Sequence, residues 1–264
     1  MRDQGLLARK RLGQHFLQDR GALAKILTAA DIQPGDNVLE IGPGTGVLTQ
    51  LLAEQAGKLV AVELDDRLFQ LLTETFESDP NVHIVHGNAL DIDPCTLFAG
   101  AYKVVANIPY YITGPLLRHF LEAGCPPVLL VLMVQLEVAR RITAKPGDLS
   151  LLGLSVQWYA EPKLIARVPA GAFYPRPKVD SAIVRLTPHS NPLRQSRAER
   201  LFRLAHAAFG TRRKQLGNAL SLGLGIDRDA SRALLREAEI EPERRAETLT
   251  LEEWERLAGT QEAG

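Results

Sequence analysis

The chain has 264 residues, of which 45% are hydrophobic and 23% charged, and its 31 basic and 31 acidic side chains cancel to a net charge of zero. Its longest purely apolar run, Val128 to Val134, falls far short of the ~18 residues that suggest a membrane span, and its first residues lack a secretory signal pattern, so we expect a cytoplasmic protein without a membrane partner. The two cysteines, Cys95 and Cys125, form no CxxC pair, which excludes a zinc-finger pattern and gives no indication of a disulfide framework or a metal site.

Short apolar runs alternate with helical patterns through the first two-thirds of the chain. The runs are rich in Val, Ile and Leu, as buried strands are, and they cover Asn37–Ile41, Lys58–Glu63, Val82–Val85, Lys103–Ala106 and Val128–Val134. The helical patterns cover Gly21–Ala30, Leu48–Gln55, Asp66–Phe76, Pro115–Glu122 and Gln135–Thr143. This alternation predicts an α/β fold with right-handed crossovers and a parallel sheet.

Farther along, the pattern changes from mixed to all-helical. Two more strand candidates, Lys163–Val168 and Ser181–Leu186, flank the loop Pro169–Pro177, whose three prolines oppose regular strand pairing. Thr250 and Glu253 have the spacing of a capping box and predict the start of the last helix. We therefore predict two domains, a catalytic domain over residues 1–190 and a smaller helical domain over residues 191–264.

The charges are unevenly distributed. Between Arg194 and Lys214 there are seven basic residues against one acid, whereas between Asp227 and Arg256 there are ten acids against six arginines. A local basic patch is sufficient for nucleic-acid binding even when the total charge is zero. A solvated helix face explains the same pattern equally well.

A glycine-rich turn follows the first predicted strand. Gly42 and Gly44 belong to the spacing GxGxG, which lacks the third glycine of the dinucleotide fingerprint and so weakens a nicotinamide interpretation. Glu63 ends the next strand, where a carboxylate can accept hydrogen bonds from both hydroxyls of an adenosine ribose. Asn88, after the third strand, is a candidate contact to adenine, although such a position is often only a turn. Together they predict an adenosine-containing cofactor rather than a purely structural loop.

The fourth strand ends in the tetrapeptide Asn107-Ile108-Pro109-Tyr110. The amine of adenine is a poor nucleophile because its lone pair is delocalised into the ring. The Asn107 side-chain oxygen and the Ile108 carbonyl would hold its two N–H groups so that the lone pair faces a methyl donor. Pro109 would stiffen the loop and Tyr110 would stack on a base rotated out of its helix. The alternative is a loop that merely closes a strand.

With these motifs in place, the chain resembles the bacterial small-subunit rRNA adenine dimethyltransferases, the kasugamycin-resistance methyltransferases. The resemblance covers nearly the whole length. It is carried by blocks that occur in the same order as in the family: Lys10–Leu17, Glu40–Gly46, Asn107–Tyr110 with Ile112–Leu117, Met133–Arg141, Val168–Pro169, Phe173–Ala182 and Phe209–Leu216.

The resemblance implies a Rossmann-like, seven-stranded methyltransferase sheet with a small helical domain. It also implies S-adenosylmethionine as cofactor and two adjacent adenosines near the 3′ end of 16S rRNA, each methylated twice, as substrate. The cofactor residues would be His15, Leu17, Gly42, Gly44, Glu63, Asn88 and Asn107. The family commonly has Asn in place of His15 and Asp in place of Asn88, which leaves the contacts at these two positions less defined.

Two further assignments concern the substrate. By similarity, the loop that holds Phe173 borders the target base, so Phe173 would sandwich that base opposite Tyr110; the alternative is a hydrophobic plug for a proline-rich loop. The consecutive cations Arg212, Arg213 and Lys214 would meet RNA phosphates, so we expect the helical domain over residues 191–264 to be an RNA-binding domain. We expect a monomer whose partner is the small ribosomal subunit.

Three other functions remain open. A macrolide-resistance methylase of 23S rRNA would share the cofactor and amine motifs. A DNA adenine methylase is less favoured because no separate sequence-reading module stands out. A ribosome-assembly factor that binds RNA without methylating it conflicts with the intact Asn107–Tyr110 motif.

Overall fold

The structure, a computed structural model, describes residues 14–190, 192–211 and 213–260. Its strands are β1 (Phe16–Leu17), β2 (Asn37–Ile41), β3 (Lys58–Glu63), β4 (Val82–His86), β5 (Tyr102–Asn107), β6 (Leu129–Gln135), β7 (Ala160–Val168), β8 (Phe173–Tyr174) and β9 (Ser181–Pro188). Its α-helices are α1 (Arg20–Ala30), α2 (Val47–Ala53), α3 (Asp66–Thr75), α4 (Thr113–Leu121), α5 (Leu136–Ile142), α6 (Leu151–Tyr159), α7 (Pro192–Phe209), α8 (Leu216–Leu224), α9 (Arg228–Glu237) and α10 (Leu251–Gly259). In the described part of the chain, no helix combines the length and the apolar character needed to cross a membrane.

Seven strands form one sheet in the order β4-β3-β2-β5-β6-β9-β7. The pairs among β4, β3, β2, β5 and β6 are parallel, whereas β9 runs antiparallel to β6. Because β2 has β3 on one side and β5 on the other, the strand order reverses at β2, and ligands of open α/β sheets bind at the carboxyl ends of strands at such a point. The glycine turn and the Asn107 tetrapeptide both follow strands that end there.

The chain divides into two compact units, residues 1–139 with 161–188 and residues 140–160 with 189–264. The first unit contains the sheet and a core in which α1 contributes Ile26, fully buried with Val105, Met133 and Ile183. Asp19 caps α1 by accepting the backbone N–H of Ala22 at 2.7 Å, which satisfies one of the free donors of the first turn.

The second unit has a core of its own, built around Trp158 and Trp254, both fully buried with Leu220 and Leu235. The capping box at Thr250 is confirmed, since its side chain accepts from the Glu253 N–H and the Glu253 carboxylate accepts from the Thr250 N–H. Residues 140–160, including α6, belong to this unit, although the sequence analysis assigned them to the catalytic domain. The predicted boundary after residue 190 lies close to Pro188, where the chain enters the second unit.

Two expectations from the sequence are wrong. The loop Pro169–Pro177 does contain strand pairing, because Phe173 and Tyr174 lie between its prolines and pair antiparallel with Leu17 and Phe16. A proline prevents pairing only where its own missing N–H is needed, and neither paired residue is a proline.

The second correction concerns the cysteines, which form a Cys95–Cys125 disulfide with 5.6 Å between their Cα atoms. Cys95 lies in the short 3-10 turn Pro94–Thr96 after β4, and Cys125 lies between α4 and β6. These two segments precede β5 and β6, which are adjacent in the sheet, so the cysteines meet across 30 residues of sequence. The spacing of the two cysteines in the sequence does not indicate that they lie close together, so the pairing was not predicted.

Candidate active site

A cavity of about 410 Å³ opens at the carboxyl ends of β2, β3 and β5, within the size range of small-molecule sites. Among its lining residues are all those predicted to contact the cofactor and the whole catalytic tetrapeptide: His15, Leu17, Gly42, Gly44, Glu63, Asn88, Asn107, Ile108, Pro109 and Tyr110. The sequence-predicted cofactor and amine sites are therefore parts of one cavity.

The glycine turn between β2 and α2 needs glycine for two reasons. Gly42 and Gly44 have φ angles of 68° and 61°, in the left-handed region that other residues rarely adopt. A Cβ on Gly44 would lie 3.0 Å from Cδ1 of Phe16, so a side chain there would push into the cavity wall. At these two glycines no side chain covers the backbone beside the cavity, so a ligand can approach the backbone closely.

Glu63 ends β3 with its carboxylate nearly buried at the cavity wall. Its Oε1 accepts the N–H groups of Leu64 and Asp65, both at 2.9 Å, and its Oε2 accepts the N–H of Gly44 at 3.1 Å. Burial raises the pKa of Glu63, and the three backbone hydrogen bonds oppose that shift. A carboxylate has about four acceptor positions, so Oε2 keeps capacity for a ligand hydroxyl while the other contacts tie the carboxylate to the glycine turn.

Glu40 is a lining residue that the sequence analysis did not select. It lies within β2 and is only 1% exposed, and neither its Oε2 nor the Thr49 hydroxyl has a hydrogen-bond partner among the described residues. Burial raises the pKa of Glu40 to about 8, and the charge of Glu63 adds to the shift. An acid within the apolar run Val38–Ile41 was the signal that could have identified it.

Asn88 lines the cavity, but its side chain also shapes the loop after β4. Its Oδ1 accepts the Leu90 N–H at 3.2 Å and its Nδ2 donates to Asp91 at 3.1 Å. The turn role and the ligand role considered for Asn88 are therefore compatible, because its amide retains one N–H and one lone pair.

Asn107 and Ile108 present two acceptors at the end of β5. The Asn107 Nδ2 donates to the backbone carbonyl of His15 at 3.2 Å, which turns the Oδ1 the other way. Among the described residues, none donates to the Asn107 Oδ1 or to the Ile108 carbonyl. Both residues line the cavity, and two acceptor oxygens on neighbouring residues have the chemistry needed to hold the two N–H groups of an aromatic amine.

Tyr110 is held by contacts on two sides. Its ring stacks on the His15 ring with 5.9 Å between centroids and 26° between planes, and its hydroxyl lies 2.7 Å from the Ser181 Oγ. The His15 Nδ1 lies 2.7 Å from the Pro175 carbonyl, which only accepts, so Nδ1 is the donor. Burial raises the pKa of the Tyr110 hydroxyl, which is therefore a neutral group at physiological pH.

Phe173 does not lie where the sequence analysis predicted. It is 4% exposed, belongs to the core of the first unit and is not among the residues that line the cavity. Its pairing with Leu17 turns the side chain inward, so the structure favours the hydrophobic plug over the base-stacking role. The exposed aromatic of this loop is Tyr174, the next residue.

Two residues of the basic triplet, Arg213 and Lys214, lie in the turn between α7 and α8, in the second unit. Arg213 and Lys214 are exposed, and Arg212 lies outside the described residues, as do residues 10–13 of the N-terminal block. An exposed turn with two cations fits phosphate contacts and a solvated surface alike, so the RNA role of the triplet stays a prediction.

Comparisons with known proteins identify the family. The sequence profile described as "Ribosomal RNA adenine dimethylase" matches residues 5–257. The chain belongs to this family. Among similar proteins is one of Dehalococcoides mccartyi named "Ribosomal RNA small subunit methyltransferase A", 53% identical over 96% of this chain and 88% of that protein. A protein of the same name from Moorella thermoacetica is 45% identical over 98% and 94% of the two chains.

Two solved structures resemble the whole chain. A dimethyladenosine transferase from Plasmodium falciparum has a TM-score of 0.79 and 26% identity, covering 92% of this chain and 96% of that one. The 23S rRNA methyltransferase ErmE has a TM-score of 0.73 and 31% identity, covering 92% and 98%. The Rossmann-like methyltransferase fold and the enzyme class predicted from the sequence are confirmed.

Members of the adenine dimethylase family use S-adenosylmethionine, and this cavity fits that cofactor. Because Gly44 has no side chain, a ligand can approach the backbone of the turn. The Glu63 carboxylate can accept a further hydrogen bond from a ribose hydroxyl. The buried Glu40 oxygen without a protein partner among the described residues is a further polar contact for the cofactor. Bound there, the cofactor supplies an electrophilic methyl group on a positively charged sulfur.

Proposed function

We propose that this enzyme methylates the N6 amines of two adjacent adenosines near the 3′ end of 16S rRNA, each twice, during small-subunit biogenesis in the cytoplasm. The observation that carries the proposal is the 53% identity, over nearly the whole chain, to a protein named as a small-subunit rRNA methyltransferase. The pair of free acceptors at Asn107 and Ile108 supports it, because they suit the amine of adenine.

The residues of the tetrapeptide act by holding the amine. The Asn107 Oδ1 and the Ile108 carbonyl accept its two N–H groups and draw the nitrogen out of the plane of the ring, so that its lone pair becomes available. Tyr110, fixed by Ser181 and His15, presents a ring face to the base. After one methyl transfer a single N–H remains, and one of the two acceptors is sufficient to orient it for the second transfer.

No strong base is required in this scheme. The amine proton becomes acidic as the nitrogen takes up the methyl group, and it is then lost to solvent. The site therefore has to hold the amine in one orientation and does not have to abstract the proton. Positioning of two reactants alone can supply a large part of a rate enhancement. The lack of a strong base agrees with the neutral side chains of Asn107 and Tyr110, which line the cavity.

The second unit is the proposed RNA-binding domain, a role that the sequence analysis gave to residues 191–264. Its exposed turn at Arg213 and Lys214, with Arg212, supplies cations for backbone phosphates without reading bases. The catalytic role belongs to the first unit, which contains the entire lining of the cavity. We take the enzyme to act as a monomer on the small ribosomal subunit.

A second candidate, methylation of 23S rRNA, is favoured by the likeness to ErmE. Transfer of tritiated methyl groups to small-subunit rRNA, large-subunit rRNA and duplex DNA, measured side by side, separates the candidates. We expect incorporation into small-subunit rRNA. Preferential labelling of large-subunit rRNA would favour the second candidate, and RNA binding without labelling would indicate an assembly factor.

The same assay tests the tetrapeptide. Asn107→Ala should lower the transfer rate by about 10²–10³-fold, because one transition-state acceptor is removed. Gln70→Ala, which removes an exposed amide from α3, is the matched control and should behave as the wild type. A near wild-type rate for Asn107→Ala would exclude catalysis by this acceptor pair.

A further inference from the structure

The end of β8 and the loop that follows it carry three exposed side chains in the first unit. Exposure alternates along the segment: Phe173 and Pro177 are buried, whereas Tyr174, Arg176 and Lys178 are exposed. The chain bends at Pro175 and again at Lys178, so these residues form a loop and not a strand. Tyr174, Arg176 and Lys178, called the loop face below, are all exposed within five residues of this loop, and Tyr174 is 52% exposed.

The loop face adjoins the cavity through the N-terminal segment. Tyr174 pairs with Phe16, a residue of the cavity wall. The next carbonyl, that of Pro175, accepts the hydrogen bond from His15, whose ring stacks on Tyr110. One layer of residues thus separates the loop face from the Tyr110 ring, which is expected to stack on the target base.

The charges of the loop face are available to an anion. The acid nearest to it in sequence, Asp180, pairs with Arg167 and accepts the N–H of Ala170 at 2.8 Å. Within the described residues, neither Arg176 nor Lys178 has an acid within ion-pair distance, although the charge of Arg176 also acts on Asp180. Arg167, Arg176 and Lys178 against Asp180 leave this loop with an excess of positive charge beside an exposed aromatic ring.

We propose that the loop face binds a single-stranded segment of the RNA substrate next to the target adenosine. The Tyr174 ring stacks on a neighbouring base, and Arg176 and Lys178 each meet a backbone phosphate. Aromatic rings interleaved with cations are how proteins track single strands, whose unstacked bases are free to stack on protein. The proposal depends on the proposed function only in requiring that the substrate is RNA.

The test compares loop-face variants with charge-matched controls. Arg176→Ala/Lys178→Ala should weaken binding of the substrate rRNA and lower the slope of log K against log salt by about 1.4, or ~0.7 for each single-strand phosphate contact. The control is Lys25→Ala/Lys163→Ala, which removes two exposed cations elsewhere in the first unit. It should bind RNA with nearly the wild-type slope.

Tyr174 is tested by a pair of substitutions. Tyr174→Ala should weaken RNA binding about tenfold or more, whereas Tyr174→Phe, which keeps the ring, should bind as the wild type does. Affinity for S-adenosylmethionine and thermal unfolding should be unchanged in all these variants, because the altered side chains are exposed and outside the cavity lining.

The outcomes separate this proposal from the proposed function. Wild-type protein that binds and methylates no rRNA would overturn both. If the wild type methylates rRNA while the double variant matches its control in affinity and slope, and Tyr174→Ala matches Tyr174→Phe, the loop-face proposal alone is wrong. If the wild type prefers large-subunit rRNA, the loop-face variants and their controls are compared on that RNA, and the same differences in affinity and slope are expected.

Discussion

Tyr110 illustrates how a site residue depends on a partner far away in the sequence. Its hydroxyl lies 2.7 Å from Ser181, which is fully buried at the start of β9. We predict that Ser181→Ala lowers the rate of methyl transfer about 3- to 10-fold with a smaller change in RNA affinity, since one net hydrogen bond of ~0.5–1.5 kcal/mol orients the ring. Single-turnover rates and RNA affinities, measured separately, test this.

A double-mutant cycle provides the control. Tyr110→Phe removes the same hydrogen bond from the other side, so it should resemble Ser181→Ala, and the double variant should be no slower than either single one. Fully additive losses would show that the two residues act independently and that Ser181 does not position the ring.

Glu40 yields a prediction about stability and pH. Burial raises the pKa of Glu40 in the folded chain to about 8 from 4.5, so the folded state holds a proton that the unfolded state has lost. The contribution of Glu40 to the free energy of unfolding is therefore largest below pH 4.5. It falls as the pH rises toward 8, by an amount on the order of 4 kcal/mol. Glu40→Gln, which stays neutral, should escape this loss.

The measurement is chemical unfolding of both proteins without cofactor at pH 5 and pH 8.5. The free energy of unfolding of Glu40→Gln minus that of the wild type should be several kcal/mol larger at pH 8.5 than at pH 5. Any fixed cost of the amide cancels, because it is present at both. The same stability difference at pH 5 and pH 8.5 would show that Glu40 titrates normally.

How much of the site could be read from the sequence differs from residue to residue. Gly42, Glu63 and Asn107 were predicted because each follows or ends a strand, and the carboxyl ends of parallel strands meet at one edge. Phe173 was misplaced because its orientation is set by pairing with Leu17, which lies more than 150 residues earlier in the sequence. Glu40 was not predicted because residues within an apolar strand usually belong to the core.

At the scale of elements, the pairing of β1 with β8 brings the N-terminal segment to the cavity. Each strand has two residues, too few for a periodic pattern, and the pairing is further supported by the Gln18 N–H donating to the Ala172 carbonyl at 2.9 Å. The longer strands were predictable because runs of consecutive apolar residues are typical of strands buried on both faces. Short pairings of this kind depend on tertiary contacts alone.

The disulfide gives a prediction at this scale. It closes a loop of 30 residues between the segment after β4 and the segment before β6, so it should stabilise the folded chain by ~2–4 kcal/mol through restriction of the unfolded state. Cys95→Ser/Cys125→Ser should unfold more easily than the oxidised wild type by this amount. With a reducing agent present the two proteins should unfold alike, and a difference that persists would point to a role of the thiols other than cross-linking.

At the scale of the molecule, the parallel sheet and the helical C-terminal region were predictable from the sequence, but the points where the chain passes between the units were not. Residues 140–160 join the second unit because the α6 residues Leu154 and Trp158 are fully buried in its core. A hydrophobic helical run shows that a helix is buried, and it does not show against what it packs.

The basic turn of the second unit yields the remaining prediction. Replacing Arg212, Arg213 and Lys214 by Ala should weaken rRNA binding and reduce its salt slope by roughly one unit for each phosphate that is no longer neutralised. Cofactor binding should be unchanged, because every residue lining the cavity belongs to the first unit. Replacing the exposed Arg228, Arg232 and Arg236 of α9 by Ala removes the same charge from an acidic region and is the control. If both triple variants have the same slope, the triplet is only a solvated surface.

The central claim is that the enzyme uses one cavity to methylate the N6 amine of each target adenosine twice in small-subunit rRNA. Nucleoside analysis of the product tests this claim most directly. Unmethylated small-subunit rRNA, alone and assembled into particles, is treated with the enzyme and S-adenosylmethionine, digested, and analysed by mass spectrometry. We predict N6,N6-dimethyladenosine at two adjacent positions near the 3′ end, and its loss with Asn107→Ala. Monomethyladenosine alone, or dimethyladenosine found only in large-subunit rRNA, would contradict the claim.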